Sequence, residues 1–309
     1  MGLLRSSIQL GSAVTDEAVT VVSCTHKAHH IQAHKYAQIR LKRAQTGEHA
    51  DVDLEQVENA LRSMVSALKI KNCECVMSIS LSNTTFGFFE APKGATQKQA
   101  HALLQKHIFS RFSVPARDVC DKEWVIPNSQ EKDRITFGYY ALERSVLDSW
   151  KAVYARAGLR LARVAVDMPS IAHMLASQEK HENSSGAMPL KGIIEVGERS
   201  TVCAIAGKGG LLSMESLPWG MRDAYKKNDL SGLGDALNPV VATVQGTIMW
   251  HILAPDELLA PLKQFFIHHL QFEVSPFKMF MEIPPRFRMS AYVKASAAAG
   301  YPSGWCIIV

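Results

Sequence analysis

Hydrophobic positions along the chain fall into short strand-like runs that alternate with helix-like repeats. The opening predicts a meander, with strands over residues 8–10 and 18–24 joined by a turn at Gly11 and Ser12. Asp53 then caps a helix whose apolar residues recur at helical spacing. Those apolar residues are Leu54, Val57, Leu61, Met64, Val65 and Leu68. A strand over 74–81 follows, and this order of elements is typical of α/β proteins.

The middle of the chain predicts a short α+β unit followed by a return to the first pattern. A helix at 96–109 precedes two strands, and Gly158 ends an amphipathic helix that begins at Arg144. The remaining predicted elements are strands at 124–126, 134–142 and 161–166 and a helix that begins at Pro169.

A polar, turn-rich stretch at 180–189 (KHENSSGAMP) predicts a hinge between two halves. Beyond it the opening pattern returns, with strands at 193–197, 201–206 and 211–217 separated by glycine-containing turns. Backbone N–H groups of such turns hold phosphates in proteins. The repeat therefore predicts a duplicated element that faces a phosphate from two sides.

Composition narrows the classes of protein without naming one. With 309 residues, 47% hydrophobic and 20% charged, the chain is long enough for two packed domains. The charge of +5 comes from scattered residues, which argues against nucleic-acid binding. The six cysteines form no CxxC pair and indicate free thiols in a reducing compartment. Because residues 1–12 lack a signal-peptide core, we expect a cytoplasmic protein.

Several segments resemble, in the same order, those of the PilM family of pilus assembly proteins. That family shares the actin-like fold with FtsA and with the cytoplasmic part of GspL. The similar segments are 8–12 with 18–22, 61–80, 146–170, 191–220, 252–255 with 258–277, and 289–300.

The resemblance implies an α/β, actin-like (ribonuclease H-like) two-domain fold with an inserted α+β subdomain and a reduced fourth subdomain. Residues 1–83 and 163–182 would form the first actin-like subdomain, and 84–162 the inserted one. Residues 190–309 would form the second half, with the reduced subdomain near 220–246.

The resemblance also implies a nucleotide cleft, in which this sequence departs from the family pattern. The cleft residues would be Gln9, Gly11, Ser12, Glu195, Gly197, Ser200, Ala254 and Pro255. Gln9 stands where an acidic residue would organise Mg²⁺, and Glu195 carries its charge one methylene further out than the usual aspartate. Pro255 lacks an N–H and fixes φ at the adenosine turn. We therefore expect a degenerate cleft with no catalytic residue, no metal site and no cofactor, or weak Mg-ATP binding at most.

The sequence contains no motif that indicates a zinc site, a serine hydrolase or a P-loop. His26, His30 and His34 would share one face if their segment were helical, but a strand competes and nothing completes a zinc set. No Gly-x-Ser-x-Gly elbow is present, and the glycines at 207–210 lack P-loop spacing.

The function that the resemblance implies is that of a cytoplasmic scaffold, peripheral to the bacterial inner membrane. It would bind the cytoplasmic tail of a PilN-like membrane partner in a groove near residues 80–90, and contact other pilus or secretion platform components. Two alternatives stay open. One is an active actin-like ATPase whose nucleotide state changes partner affinity. The other is the cytoplasmic domain of a GspL-like type II secretion protein, with a membrane helix beyond Val309.

Overall fold

A computed structural model describes residues 8–15, 18–27, 30–42, 53–70, 72–80, 84–126, 134–178, 190–197, 200–207, 210–223, 230–242, 248–254, 256–276, 289–300 and 306–309. The strands are β1 Ile8–Val14, β2 Ala18–Lys27, β3 His30–Arg40, β4 Glu74–Ile79, β5 Thr85–Glu90, β6 Val119–Val125, β7 Thr136–Glu143, β8 Arg160–Val166, β9 Leu190–Val196, β10 Thr201–Gly207, β11 Gly210–Leu217, β12 Ile248–Leu253, β13 Val274–Pro276 and β14 Ile307–Ile308. The helices are α1 Leu54–Leu68, α2 Gln97–Phe109, α3 Arg144–Arg156, α4 Asp167–Gln178, α5 Ser231–Ala242, α6 Asp256–Phe265 and α7 Met289–Gly300.

The chain divides into two compact units. Unit 1 is Met1–Ile171 with Ala291–Val309, and unit 2 is Ala172–Ser290. The prediction that residues 190–309 form one half is therefore wrong for 291–309, because β14 pairs with β8 in the sheet of unit 1. The predicted hinge at 180–189 lies outside the described residues.

Both units repeat one sheet topology. The sheet of unit 1 has the order β14-β8-β4-β1-β2-β3, and that of unit 2 has the order β11-β10-β9-β12-β13. In each, three consecutive strands form an antiparallel meander, and a later strand pairs in parallel with the first of them. The strand-and-turn repeat predicted from the sequence is thus confirmed at the level of whole sheets.

Amphipathic helices cover one side of the unit 1 sheet. Asp53 caps α1 by accepting from the N–H groups of Glu55 and Gln56, as predicted. The apolar side of α1 is buried at Leu61 and Met64. Burial of each of these side chains stabilises the fold by about 1.5–3 kcal/mol. At the end of α3, Gly158 adopts a φ of 85°, which glycine allows without strain.

A separate three-stranded sheet, β5-β7-β6, lies within the stretch 84–162 in which the sequence predicts an inserted subdomain. One face packs on α2 through a core that includes Leu104, Ile108 and Tyr139. Thr96 and Gln99 form a capping box at the start of α2. The side chain of each residue accepts a hydrogen bond from the backbone N–H of the other. The strand β5 itself has no counterpart among the predicted strands.

The core of unit 2 packs helices α5 and α6 against its sheet. Trp250 lies across Gly192, where an added Cβ would approach the indole to 2.0 Å. The helix predicted over 258–277 ends sooner, because Gln271 turns left-handed with a φ of 58° before β13. The described part of the stretch 220–246, the predicted reduced subdomain, contains α5. Among the described residues, no helix has the length and apolar character needed to cross a membrane.

Candidate functional site

The second predicted phosphate turn lies at the end of a tight hairpin in unit 2. Val196 of β9 pairs with Thr201 of β10, and the N–H of Gly197 donates to the carbonyl of Ser200 at 2.9 Å. An added Cβ on Gly197 would come within 2.8 Å of that carbonyl oxygen, so glycine fits this turn. Glu195 is buried on β9, next to the turn.

In the structure, the turn of the first hairpin lies further along the chain than the sequence predicts. β1 runs without a break through Gly11 and Ser12, which pair with β2 in regular register. The hairpin closes further on, where the N–H of Thr15 donates to the carbonyl of Ala18 at 2.9 Å. The prediction of a Gly11–Ser12 turn is wrong because β1 continues through Ala13 to the β-branched Val14.

The two hairpins match residue for residue, and this match changes which positions correspond. Thr15 and Ala18 close the first hairpin as Gly197 and Ser200 close the second. Two positions earlier on each strand, Ala13 stands where Glu195 stands. The counterpart of Glu195 in unit 1 is therefore Ala13 and not Gln9, and it carries no charge.

Ser12 is buried and hydrogen-bonded in the interior of unit 1. Its hydroxyl shares a hydrogen bond of 2.6 Å with the hydroxyl of Tyr154 on α3, and it accepts from the Sγ of Cys75 at 3.2 Å. All three residues are buried. Burial raises the pKa of Cys75 to about 12 and raises the pKa of Tyr154 well above its ordinary value, so both stay neutral. Ser12 thus links β1, β4 and α3.

Gly11 packs against a helix on the other face of β1. An added Cβ would come within 1.9 Å of the carbonyl oxygen of Ala295 and 2.8 Å of the Cβ of Ala299, both on α7. Glycine is needed here for the close approach of a helix to a strand. Gln9 is half-buried on the same strand, two positions away.

The third predicted element, the adenosine turn, is described only in part. Ala254 follows β12 and packs into the core of unit 2, whereas Pro255 lies outside the described residues. Of the predicted cleft residues, Gln9, Gly11 and Ser12 lie on one strand of unit 1. Glu195, Gly197, Ser200 and Ala254 belong to unit 2.

The histidine segment forms strands rather than a helix. His26 is on β2, whereas His30 and His34 are on β3, and His34 Nε2 bonds the hydroxyl of Thr25 at 2.8 Å. Within the described part of the chain, no three His, Cys, Asp or Glu side chains are grouped as a metal site would require.

The stretch expected to hold a partner groove contains β5, an edge strand of the three-stranded sheet. β5 pairs with β7 on one side, and no described strand pairs with its other side. It carries no charged residue before Glu90, and its side chains are half-buried up to that point. Edge strands usually carry charges that discourage further pairing, as Lys35 and Arg40 do on β3. The aromatic run TFGFF at 85–89 is the signal from which the strand β5 could have been predicted.

Aromatic side chains line the face of β5 that points away from α2. We define the aromatic face as Phe86, Phe88, Trp124 and Tyr140. Phe86 meets Phe88 edge-to-face at 5.3 Å and lies 6.1 Å from Trp124, while Trp124 lies 6.3 Å from Tyr140. Trp124 and Tyr140 are buried, whereas Phe86 and Phe88 are half-buried. The two phenylalanines thus leave apolar surface beside an unpaired strand edge.

Comparison with solved structures assigns the fold. A chain of the PilM-PilN type IV pilus biogenesis complex superposes with a TM-score of 0.68 at 14% identity, over 95% of this chain and 96% of that one. The chain has an actin-like fold. The ethanolamine utilization protein EutJ from Carboxydothermus hydrogenoformans superposes with a TM-score of 0.53 at 13% identity, over 97% and 92% of the two chains. No protein-family model matches, and no curated protein is detectably similar in sequence.

An actin-like fold implies a Mg-nucleotide, and the two hairpins fit one unequally. In unit 2 the Gly197 turn and the carboxylate of Glu195 are present side by side. In unit 1 the described residues from Leu10 to Val14 offer no acidic side chain, and the Ser12 hydroxyl is already bonded. The β1 residues of this actin-like fold therefore fit a magnesium-bound phosphate poorly.

Proposed function

We propose that this actin-like protein is a scaffold in the inner-membrane platform of a type IV pilus or a related secretion system. In this proposal it lies on the cytoplasmic side of the bacterial inner membrane, held there by partners. The partner that it binds directly is the cytoplasmic tail of a PilN-like membrane protein, and other platform components assemble around that contact.

The observation that carries the proposal is the edge of β5, which has no charged residue before Glu90. An extended peptide that adds to a sheet edge gains backbone hydrogen bonds, and its alternate side chains enter neighbouring pockets. β5 offers such an edge, with half-buried Phe86 and Phe88 on the aromatic face. The fold likeness to a chain that was solved with PilN supports the same kind of partner.

Binding of tail peptides tests the proposal directly. Peptides from the cytoplasmic tails of membrane proteins encoded beside this gene are titrated into the purified chain by calorimetry. We expect at least one to bind with a micromolar dissociation constant, about 8 kcal/mol.

A charge placed on the strand edge locates the site. Phe88→Lys should weaken the bound tail at least tenfold, because an ammonium group would replace the apolar surface of the aromatic face beside the strand edge. Tyr36→Lys is the matched control, since Tyr36 is an exposed aromatic residue on the edge strand β3. A folded wild-type chain that binds no tail would refute the scaffold, and equal effects of the two variants would refute β5 as the site.

For the nucleotide we propose weak binding or none. The reason is that β1 has uncharged Ala13 at the position that matches Glu195 of β9. The proposed scaffold then works through shape and partner contacts and needs no ATP hydrolysis.

A further inference from the structure

A buried ion pair within unit 1 joins α4 and α7, and it belongs to neither hairpin. The Nζ of Lys294 on α7 lies 2.9 Å from the Oδ2 of Asp167, the first residue of α4. Their side chains are only 11% and 3% exposed. The Oδ1 of Asp167 also accepts from the N–H of Met168 at 2.8 Å, so both carboxylate oxygens are held by donors of the chain.

Both helices contain a boundary between the two units. α4 begins in unit 1 and passes into unit 2 after Ile171, and α7 passes back into unit 1 after Ser290. Asp167 stands four residues before the first boundary, and Lys294 stands four residues after the second. The ion pair therefore connects the two points at which the chain leaves and re-enters unit 1.

Close packing fixes α7 from a second direction. The carbonyl of Ala295, next to Lys294, lies against Gly11 of β1 so closely that an added Cβ would come within 1.9 Å. The small residues Ala295, Ala298 and Ala299 are fully buried. Seated on β1 by small residues and tied to α4 by a charge pair, this part of α7 has little freedom.

We propose that Asp167 and Lys294 form a brace that locks α4 and α7 together inside unit 1 without help from a metal or nucleotide. Lys294 supplies the positive charge that buried Asp167 requires, and the pair is a positioning element for α4 and α7. A buried pair of this kind holds its geometry because the loss of either partner leaves an uncompensated charge in a poorly solvated site. The brace concerns unit 1 itself and does not depend on the binding of a tail at β5.

A double-mutant cycle on the full chain tests the brace. Lys294→Met and Asp167→Asn should each lower the Tm by about 10 °C, and the combined variant should recover at least half of that loss because no buried charge is left unpaired. Lys151→Met and Asp148→Asn, exposed changes of the same chemistry on α3, are the matched controls and should shift the Tm by less than about 2 °C.

Hydrogen exchange distinguishes a local brace from a general loss of stability. In Lys294→Met, amides of α4 and α7 should exchange at least tenfold faster, whereas those of α2 in the separate sheet should not change. If a single variant is too unstable to purify, a folded combined variant with a measurable Tm is the rescue that the brace predicts, and a combined variant that is equally unstable would contradict it.

Three results would overturn the proposal. The first is additive effects of the two substitutions, and the second is uniform exchange across α2, α4 and α7. The third is restoration of the Lys294→Met variant by millimolar Mg²⁺, which would assign Asp167 to a metal instead.

Discussion

The hairpins of the two units have the same backbone and different side-chain environments. Each closes with the same N–H to carbonyl bond, from Thr15 to Ala18 in unit 1 and from Gly197 to Ser200 in unit 2. In unit 1, however, the strand behind the turn is packed on both faces, by α7 at Gly11 and by Tyr154 at Ser12. In unit 2 the strand keeps a carboxylate next to a glycine turn.

The difference teaches that a duplicated fold preserves hairpin geometry more readily than the chemistry of the turn. Hairpin closure needs only backbone groups and a residue that tolerates the turn, so many sequences satisfy it. A charged site needs a particular side chain at a particular position, and β1 has Ala13 where β9 has Glu195. In unit 1, Gly11 and Ser12 therefore serve the packing of α7 and α3 on the sheet.

The largest expected effect comes from substituting buried residues at matched strand positions. Gly11 and Ile193 stand four positions before the turns of their hairpins. Gly11→Ala should cost about 3 kcal/mol, because the new Cβ would overlap the carbonyl of Ala295 and force α7 away. Ile193→Val should cost about 1 kcal/mol for one lost methylene. Urea denaturation measures both, and equal losses would contradict the close packing of α7 on β1.

The next effect concerns the matched pair Ser12 and Ile194. Ser12→Ala should cost about 2 kcal/mol because the buried hydroxyl of Tyr154 loses its 2.6 Å partner. Tyr154→Phe should cost about 1 kcal/mol, and the two changes together should cost less than their sum because they remove one shared bond. Ile194→Val in unit 2 serves as the apolar reference, again at about 1 kcal/mol. An additive result from urea denaturation would mean that Ser12 and Tyr154 do not interact.

Local signals in the sequence predict the elements well and the packing poorly. The Asp53 cap, the end of α3 at Gly158 and the strand-turn-strand repeat all depend on neighbours along the chain, and the structure confirms them. The turn at Gly11 and Ser12 was wrong because the reason for Gly11 lies in α7, far along the sequence.

The features of greatest functional interest depend on long-range contacts of this kind. Asp167 and Lys294 are separated by all of unit 2 in the sequence, and no local pattern connects them. β5 reads as a short aromatic run that could belong to any loop or strand, and only pairing with β7 makes it an edge. The assignment of 291–309 to the second half failed for the same reason, since β14 pairs with β8, a strand that precedes all of unit 2 in the sequence.

The smallest expected effect is the one that Mg-ATP has on stability, and it tests whether the unit 2 hairpin can work alone. With Ala13 in the place that matches Glu195, we expect a dissociation constant weaker than about 1 mM, which corresponds to about 4 kcal/mol of binding. At a ligand concentration near that constant, linkage raises the free energy of unfolding by only about 0.4 kcal/mol. The Tm should then rise by about 1 °C at most in a thermal melt with Mg-ATP. Glu195→Ala should remove even that rise, whereas Glu215→Ala, an exposed acid on β11 of the same unit, should leave it unchanged. A rise of several degrees that Glu195→Ala abolishes would favour the active ATPase, because one charged hairpin would then suffice to hold the nucleotide.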